Sequence, residues 1–522
     1  MIKLPIGSKT NNKMDEEYLR KILKRGLMTF ALALAFIMCL PASGQSTARP
    51  KAGEQLNLEQ VIGLARTQSV ESIEAKSAFI SSYWAWRSYQ ASRLPSLNLY
   101  GDFMSFDRSL QLLQDTETGK MRYVSSNNLQ NSLGLYLGQN ITFTGGTLKL
   151  YSDLSRIDEF GNNTGRTWYS QPVTLSYTQP LLAYNEFKWE RLISPKEYDK
   201  AKKIYLEAME KVTSDAVEYY FALVQARKNY EIAISDYNNT SRMFDVAKER
   251  MKIGSVTRED YLQLELKTLS DSTAINDNDI RVKEAQMNLN SLLGLPETED
   301  IEPMISEDLP DLILSFDDVL GKALNNSSFN LGNEISILDA QSAVAKAKAQ
   351  RGATVTLGAK FGLSNSSDAF RETYRDLLDQ EVVGLTFSIP IFDWGTGKGR
   401  IKKAEAATEV VKAQVEQAQN DYRKKIFTAV GQFNNQRQQC HVSKRASEIS
   451  TERYSLMMDR FRNGSISVTE LITAQNENET AVQKYLTDLG NYWNYYYALR
   501  QITLYDFIGK ADLDVNYEEM IK

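Results

Sequence analysis

The residue types that usually perform enzyme chemistry are scarce in this sequence. It contains one histidine, His441, and two cysteines, Cys39 and Cys440. These numbers disfavour zinc sites and disulfide frameworks, and they leave little material for catalysis by histidine. The glycine-rich stretch 395–400 (GTGKGR) could be imagined around a phosphate, but it lacks the spacing of a P-loop. No nucleophile motif occurs either, and the sequence therefore predicts a protein that is not an enzyme and uses no cofactor or metal.

The composition of the chain excludes further classes of protein. The chain has 522 residues, of which 42% are hydrophobic and 24% are charged, and its net charge is -5. A nucleic-acid-binding protein needs a basic face, which this charge balance disfavours. No run of 18 or more apolar residues occurs outside the N-terminal region, so the sequence excludes a protein with several membrane-spanning helices.

The N-terminal region has the pattern of a secretory signal. Basic residues at 20–25 precede an apolar run at 27–40, which small residues follow. We expect cleavage after Gly44, so that 1–44 is a signal peptide. An N-terminal membrane anchor is the alternative, although the apolar run is short for a span.

The two halves of the sequence resemble each other, which indicates an internal repeat. Three pairs of segments match, two at an offset of 210 residues and one at 258. The first half therefore holds 48 extra residues, between the segments near Leu97 and Val173. The matching pairs are 250–257 with 460–467, 173–181 with 383–391, and 58–63 with 316–321.

Each half contains segments in which apolar and polar residues alternate, as in a strand with one apolar face. The opposite faces carry Ser, Thr, Asn, Gly and Tyr. Strands of about ten residues with this pattern suit a barrel wall with lipid outside and water inside, but a soluble sandwich shows the same alternation. The apolar positions are Leu97, Leu99 and Phe103; Leu133, Leu135, Leu137, Ile141 and Phe143; Leu148, Leu150 and Leu154; Val173, Leu175 and Tyr177; Val355, Leu357, Phe361 and Leu363; and Val383, Leu385, Phe387 and Ile389.

Long helices follow the alternating segments. Positions at alternating steps of four and three form a seam along 212–251, which includes Tyr219, and a matching seam along 429–461. This spacing predicts helices that pack side by side as coiled coils. The run 194–250 alone predicts ~57 residues of helix, or roughly 85 Å. Further helices are predicted at 58–92, 256–293 and 316–350, and an acidic stretch with prolines interrupts them at 296–314.

This combination of features resembles the TolC family of bacterial outer-membrane efflux proteins. The resemblance rests on the twofold repeat, on the strand ends 179–182 (QPLL) and 389–393 (IPIFD), and on the Arg-x-x-x-Gly-Ser turns at 250–255 and 460–465. In that family, three chains form one β-barrel in the outer membrane, which a long α-helical barrel continues across the periplasm. The resemblance therefore implies an α+β membrane protein of this trimeric architecture, with a coiled-coil helical barrel.

The resemblance also implies roles for particular residues. Pro180 and Pro390 would mark the junctions of strand and helix, since proline cannot donate to a ladder but is tolerated at a helix start. Asp260 and Glu470 are gate candidates that would attract cations, or else acids favoured by the helix dipole. A capping role for the arginines of the hairpin tips is likewise an open alternative to docking. The candidates for docking a periplasmic adaptor are Arg250, Gly254, Ser255, Arg460, Gly464 and Ser465.

The resemblance implies a passive exit duct of a tripartite efflux or type I secretion system. The expected partners are two further copies of the chain in a homotrimer, a periplasmic adaptor, an inner-membrane transporter and outer-membrane lipid, but no nucleic acid. The expected location is the outer membrane of a Gram-negative bacterium, with a periplasmic extension. A secreted or periplasmic coiled-coil scaffold without a channel is the alternative.

The predicted segments follow from the repeat, and one count stays open. The family usually has four strands per chain, and the 48 extra residues allow four or six here. The segments are a signal at 1–44, a first repeat at 45–295, an acidic linker at 296–315, a second repeat at 316–510 and a tail at 511–522.

Overall fold

The structure is a computed structural model that describes residues 54–114, 119–160, 164–297, 299–304 and 309–521. The predicted signal at 1–44, which includes Cys39, lies outside these residues, and so does part of the predicted linker. Within the described ranges, no helix is both long enough and apolar enough to cross a membrane.

The helices of the two halves have the same lengths in the same order, namely 11, 23, 67 and 36 residues. In the first half they are α1 (Leu58–Gln68), α2 (Val70–Ser92), α3 (Glu186–Lys252) and α4 (Arg258–Leu293). In the second half they are α5 (Phe316–Asn326), α6 (Phe329–Arg351), α7 (Thr396–Arg462) and α8 (Val468–Thr503), and the short α9 (Tyr517–Ile521) follows.

The helix boundaries correct the sequence prediction in two places. The single helices predicted at 58–92 and 316–350 are each divided in two, because the backbone is extended at Ser69 and Ser327. The Ser69 hydroxyl then accepts a hydrogen bond from the Ser72 N–H (3.0 Å) and caps α2. The helix predicted from 194 begins earlier, at Glu186, and contains Pro195. Helices α3 and α7, at 67 residues, are each ~100 Å long.

The two long helices pack against the shorter ones. Helix α3 contacts α2, α4 and α8, and α7 contacts α6 and α8. Seam positions such as Ala216, Leu223 and Phe433 are fully buried. Tyr219 was wrongly placed on the seam, since it is 37% exposed while Tyr220 is 1% exposed. Tyr220 is buried in its place, and its hydroxyl donates to the carbonyl of Met304 (2.5 Å), in the segment between the two halves.

The acidic segment between the two halves is held against the helices by a strand pair and two ion pairs. Strand β1 (Glu54–Leu56) pairs in parallel with β6 (Ile301–Pro303). Arg227 on α3 forms an ion pair with Asp300, and Arg437 on α7 forms one with Asp311. The two arginines are 210 residues apart, so equivalent positions of the two long helices hold the acidic segment.

All six alternating segments belong to one antiparallel sheet in the order β2-β3-β4-β5-β7-β8. Strands β7 and β8, from the second half, are direct neighbours. Strands β3 and β4 instead lie between β2 and β5, so the extra residues form a hairpin inserted within the sheet. The chain thus supplies six strands to this sheet. The strands are β2 (Ser96–Gln114), β3 (Met121–Ile141), β4 (Gly146–Glu159), β5 (Gly165–Pro180), β7 (Thr354–Ser367) and β8 (Leu378–Ser388).

The sheet has one apolar and one polar face. In register across five strands, Leu97, Leu137, Leu150, Leu175 and Phe361 form one apolar row. These five side chains are 40% to 72% exposed, so nothing in the described part of the chain covers this face. A soluble sandwich would bury it under a second sheet.

A buried ionic network joins three helices near the middle of α3. Glu210, 1% exposed, lies 2.9 Å from Arg66 on α1 and 2.9 Å from Arg500 on α8. Burial raises the pKa of Glu210, and the two arginines oppose that rise. Removal of one partner from a buried ion pair typically costs about 3–5 kcal/mol, so the network fixes these helices relative to one another.

Candidate functional site

The two helical hairpins end in turns of the same geometry. Gly254 follows α3 and Gly464 follows α7, and both have a φ of 75°, which a residue without a Cβ adopts easily. The N–H of Ser255 donates to the carbonyl of Arg250 (2.9 Å), and the N–H of Ser465 donates to the carbonyl of Arg460 (2.9 Å). These bonds, together with those of the glycine N–H groups three residues back, make a Schellman motif at each helix end.

One tip arginine connects the two hairpins. The guanidinium of Arg250 donates to the carbonyl of Arg462 (2.6 Å) and to that of Phe461 (3.4 Å), at the end of α7. Arg250 therefore contributes to both helix ends: its carbonyl accepts the Schellman hydrogen bond of α3, and its guanidinium caps α7. Arg460 instead interacts electrostatically with Glu470. The structure thus brings the two predicted tips together and gives their equivalent arginines different neighbours.

The two gate candidates lie in the first turns of α4 and α8. Glu470 completes a capping box with Ser467, whose N–H donates to the carboxylate (2.8 Å). Asp260 accepts a hydrogen bond from the hydroxyl of Thr257 (2.7 Å). Hydrogen bonds from the N–H and hydroxyl of Ser467 lower the pKa of Glu470, so its carboxylate stays ionised. The spacing of Ser or Thr three residues before an acid is the signal that indicates this local role.

The junction prolines lie far from the tips, at the opposite ends of α3 and α7. Pro180 is the last residue of β5, where it pairs with Thr356. Pro390 follows β8 and precedes α7. Between Pro390 and α7, the carboxylate of Asp393 accepts hydrogen bonds from the N–H groups of Gly395 (2.9 Å) and Gly397 (2.7 Å), which shapes the glycine-rich stretch as a turn into the helix.

A group of carboxylic acids that sequence reasoning missed meets between the helices. Asp236 on α3 and Asp271 on α4 are 6% and 5% exposed, and Glu479 on α8 shares a hydrogen bond with Asp236. Burial, with smaller effects from Glu479 and Asp271, raises the pKa of Asp236 to about 8. Lys267 forms an ion pair with Asp271 (2.9 Å). Single acids on three separate helices give no sequence pattern that would reveal this meeting.

Comparison with known proteins agrees with this geometry. Residues 320–503 match the family model described as outer membrane efflux protein. No curated protein matches the chain. The CmeC outer membrane channel of Campylobacter jejuni is 13% identical with a TM-score of 0.63, and the match covers 92% of this chain and 93% of that one.

Two further solved structures have the same fold. VceC of Vibrio cholerae is 14% identical with a TM-score of 0.59, over 86% of this chain and 95% of its own. CusC is 16% identical with a TM-score of 0.58, over 89% and 96%. At these identities the likeness concerns the fold, while the family model identifies the second half. The resemblance seen in the sequence is confirmed: residues 320–503 match the outer membrane efflux protein family, and the chain has the fold of solved outer-membrane channels of that type.

Proposed function

We propose that three copies of this chain form an exit duct in the outer membrane of a Gram-negative bacterium, with the helices extending into the periplasm. The duct receives substrates from a periplasmic adaptor and an inner-membrane pump, in an efflux or type I secretion system. It works by opening, without bond chemistry. The names of the similar structures, an outer membrane channel for CmeC and an outer membrane protein for VceC, support this proposal.

The observation that carries the proposal is the uncovered apolar face of the sheet. Leu97, Leu99, Leu385 and Phe387 are 58% to 72% exposed. Burial in lipid removes such surface from water at a gain of about 25 cal/mol per Å². The unpaired edges of β2 and β8 also need partners in lipid, where backbone groups must be hydrogen-bonded. Pairing of β8 of one copy with β2 of the next satisfies both edges and closes a barrel.

In this proposal the helical tips contact the adaptor. Both tips expose chain around Gly254 and Gly464, and Ile253 beside the first glycine is 78% exposed. The docking surface comprises Arg250, Gly254, Ser255, Arg460, Gly464 and Ser465. Arg250 has a second task, because it ties the two tips of one chain together.

Asp260 and Glu470 form an acidic rim at the tip opening once three copies assemble, and ionised carboxylates there attract cations. The variant Glu470→Gln removes three charges from the trimer and should lower the permeability of the channel to K⁺ relative to Cl⁻. Reversal potentials of single channels in planar bilayers measure this ratio. A ratio equal to that of the unaltered protein would limit Glu470 to its capping role.

The experiment that tests the duct is membrane reconstitution of the full-length protein. The protein should fractionate with outer membranes, require detergent for extraction, migrate as a trimer and conduct ions in planar bilayers. An image of the purified trimer should contain three copies of the six-stranded sheet in one wall. A protein that is soluble without detergent and conducts no ions would instead be the coiled-coil scaffold.

A further inference from the structure

The polar face of the sheet carries a row of lysines next to a row of tyrosines. In register, Lys149 on β4 pairs with Ser176 on β5, which pairs with Lys360 on β7. Two residues further from the helices, Tyr136 on β3 pairs with Tyr151 on β4. We call these four side chains, Tyr136, Lys149, Tyr151 and Lys360, the lysine–tyrosine band.

The contacts within the band fix the lysines over the rings. The Lys149 Nζ lies 5.3 Å from the ring centroid of Tyr136, and the Lys360 Nζ lies 5.2 Å from that of Tyr151. Both are cation–π distances. The ammonium groups are thereby held at the polar face instead of extending freely into water.

The charges of the two ammonium groups are compensated only in part. Across the residues that the structure describes, neither lysine forms a salt bridge, although Lys360 and Asp153 interact electrostatically. Asp153 lies beyond the tyrosine row and accepts a hydrogen bond from the Tyr100 hydroxyl. Gly358 and Gly384 pair directly beside the lysine row, and a Cβ at Gly384 would meet no atom within 4 Å. Open space therefore adjoins the strand that carries Lys360.

The band owes its existence to the inserted hairpin. Tyr136, Lys149 and Tyr151 lie on β3 and β4, the two strands that have no counterpart in the second half. Only Lys360 comes from the repeated part of the sheet. The insertion thus adds chemistry to the polar face as well as width to the sheet.

We propose that the lysine–tyrosine band selects the solutes that pass through the duct, favouring anions that carry aromatic rings. This inference rests on the proposed function, in which the apolar face meets lipid and the polar face lines a water-filled interior. Three copies then place six ammonium groups around the interior, and rings of Lys or Arg are a recognised means of favouring anions in pores. The tyrosine row beside the lysines offers ring surface for an aromatic solute.

The test uses the full-length trimer in planar bilayers. A KCl gradient gives the Cl⁻ to K⁺ permeability ratio, and 1-naphthalenesulfonate serves as the aromatic anion that enters and slows the current. The double variant Lys149→Gln, Lys360→Gln should lower the permeability ratio on the order of threefold at low salt, where charge is least screened. It should also weaken the block by naphthalenesulfonate. Tyr136→Leu with Tyr151→Leu should keep the ratio but weaken the block.

Matched variants separate charge from folding. Lys149→Arg with Lys360→Arg keeps the charge and should keep the ratio, and Lys120→Gln, at the far end of the β2–β3 hairpin, should change neither reading. The single variants Lys149→Gln and Lys360→Gln provide smaller shifts of the same sign if the double variant fails to insert. If the Lys→Gln variants conduct ions but keep the permeability ratio and the naphthalenesulfonate block of the unaltered protein, the inference is overturned. An unaltered protein that does not conduct would overturn the proposed function itself, and the inference with it.

Discussion

The residues at the hairpin tips have structural roles that their residue types already indicate. A glycine after a long helix, followed by Ser, is the pattern of a left-handed helix end, and Gly254 and Gly464 both have that conformation. The pattern does not reveal that Arg250 reaches across to the carbonyl of Arg462. Local geometry is encoded by neighbouring residues, whereas a contact between two hairpins depends on how they pack.

The tip glycines should not tolerate β-branched residues. Gly254→Val with Gly464→Val places a side chain where φ is 75°, at a cost of roughly 1–2 kcal/mol for each position. We expect the protein to fold and reach the membrane, because an added Cβ would meet no atom within 4 Å at Gly254 and only Nη1 of Arg250, at an ordinary 3.5 Å, at Gly464. Efflux should nevertheless be lost as the tips lose their shape. Resistance of cells to the exported compounds measures this loss.

The control for that variant is Gly431→Ala, within α7, where added atoms also meet nothing and helix geometry is normal. It should leave efflux unchanged. Full resistance in the double valine variant, at equal protein level in the membrane, would contradict the assignment of the tips as the docking surface.

At the scale of elements, the sequence predicts the helices but not all of the contacts between them. The four-and-three spacing predicts long packed helices, and most seam positions are buried. The group of Asp236, Asp271 and Glu479 lies between α3, α4 and α8, with Tyr454 of α7 nearby, and the spacing does not predict it. Such a group makes the packing of these helices sensitive to pH.

The pKa of Asp236, raised from 3.8 to about 8, sets the direction of that sensitivity. Between these values the folded protein holds a proton that the unfolded chain has released, so the free energy of unfolding falls as pH rises through this window. Asp236→Asn is neutral at every pH and should therefore be more stable than the unaltered protein near pH 8, by on the order of 5 kcal/mol, with little difference below pH 4.

Thermal unfolding of the detergent-solubilised protein, followed by circular dichroism across this pH range, measures the effect. Asp245→Asn alters an exposed acid on the same helix and should leave the pH dependence as it is. A constant difference between Asp236→Asn and the unaltered protein at all pH values would show that Asp236 does not hold the proton.

At the scale of the whole molecule, the inserted hairpin has the largest consequence. Four strands per chain would give a trimer twelve strands, whereas six give eighteen. Barrel diameter grows roughly linearly with strand number, so the proposed barrel is about 1.5 times as wide. Barrels of 16–18 strands leave an aqueous channel, which gives the lysine–tyrosine band a water-filled interior to act on.

The amino-acid sequence alone predicts the repeat offsets, the two faces of each strand and the turns at the tips. Each of these features depends on neighbouring residues or on a fixed period, so it can be recognised in a single sequence. The tertiary structure alone decided that β3 and β4 lie between β2 and β5, and that Lys149 and Lys360 share a row. Alternation of apolar and polar residues predicts which face of the sheet a side chain lies on, but not which strand is its neighbour. Strand pairing depends on backbone hydrogen bonds between segments that are far apart in the sequence.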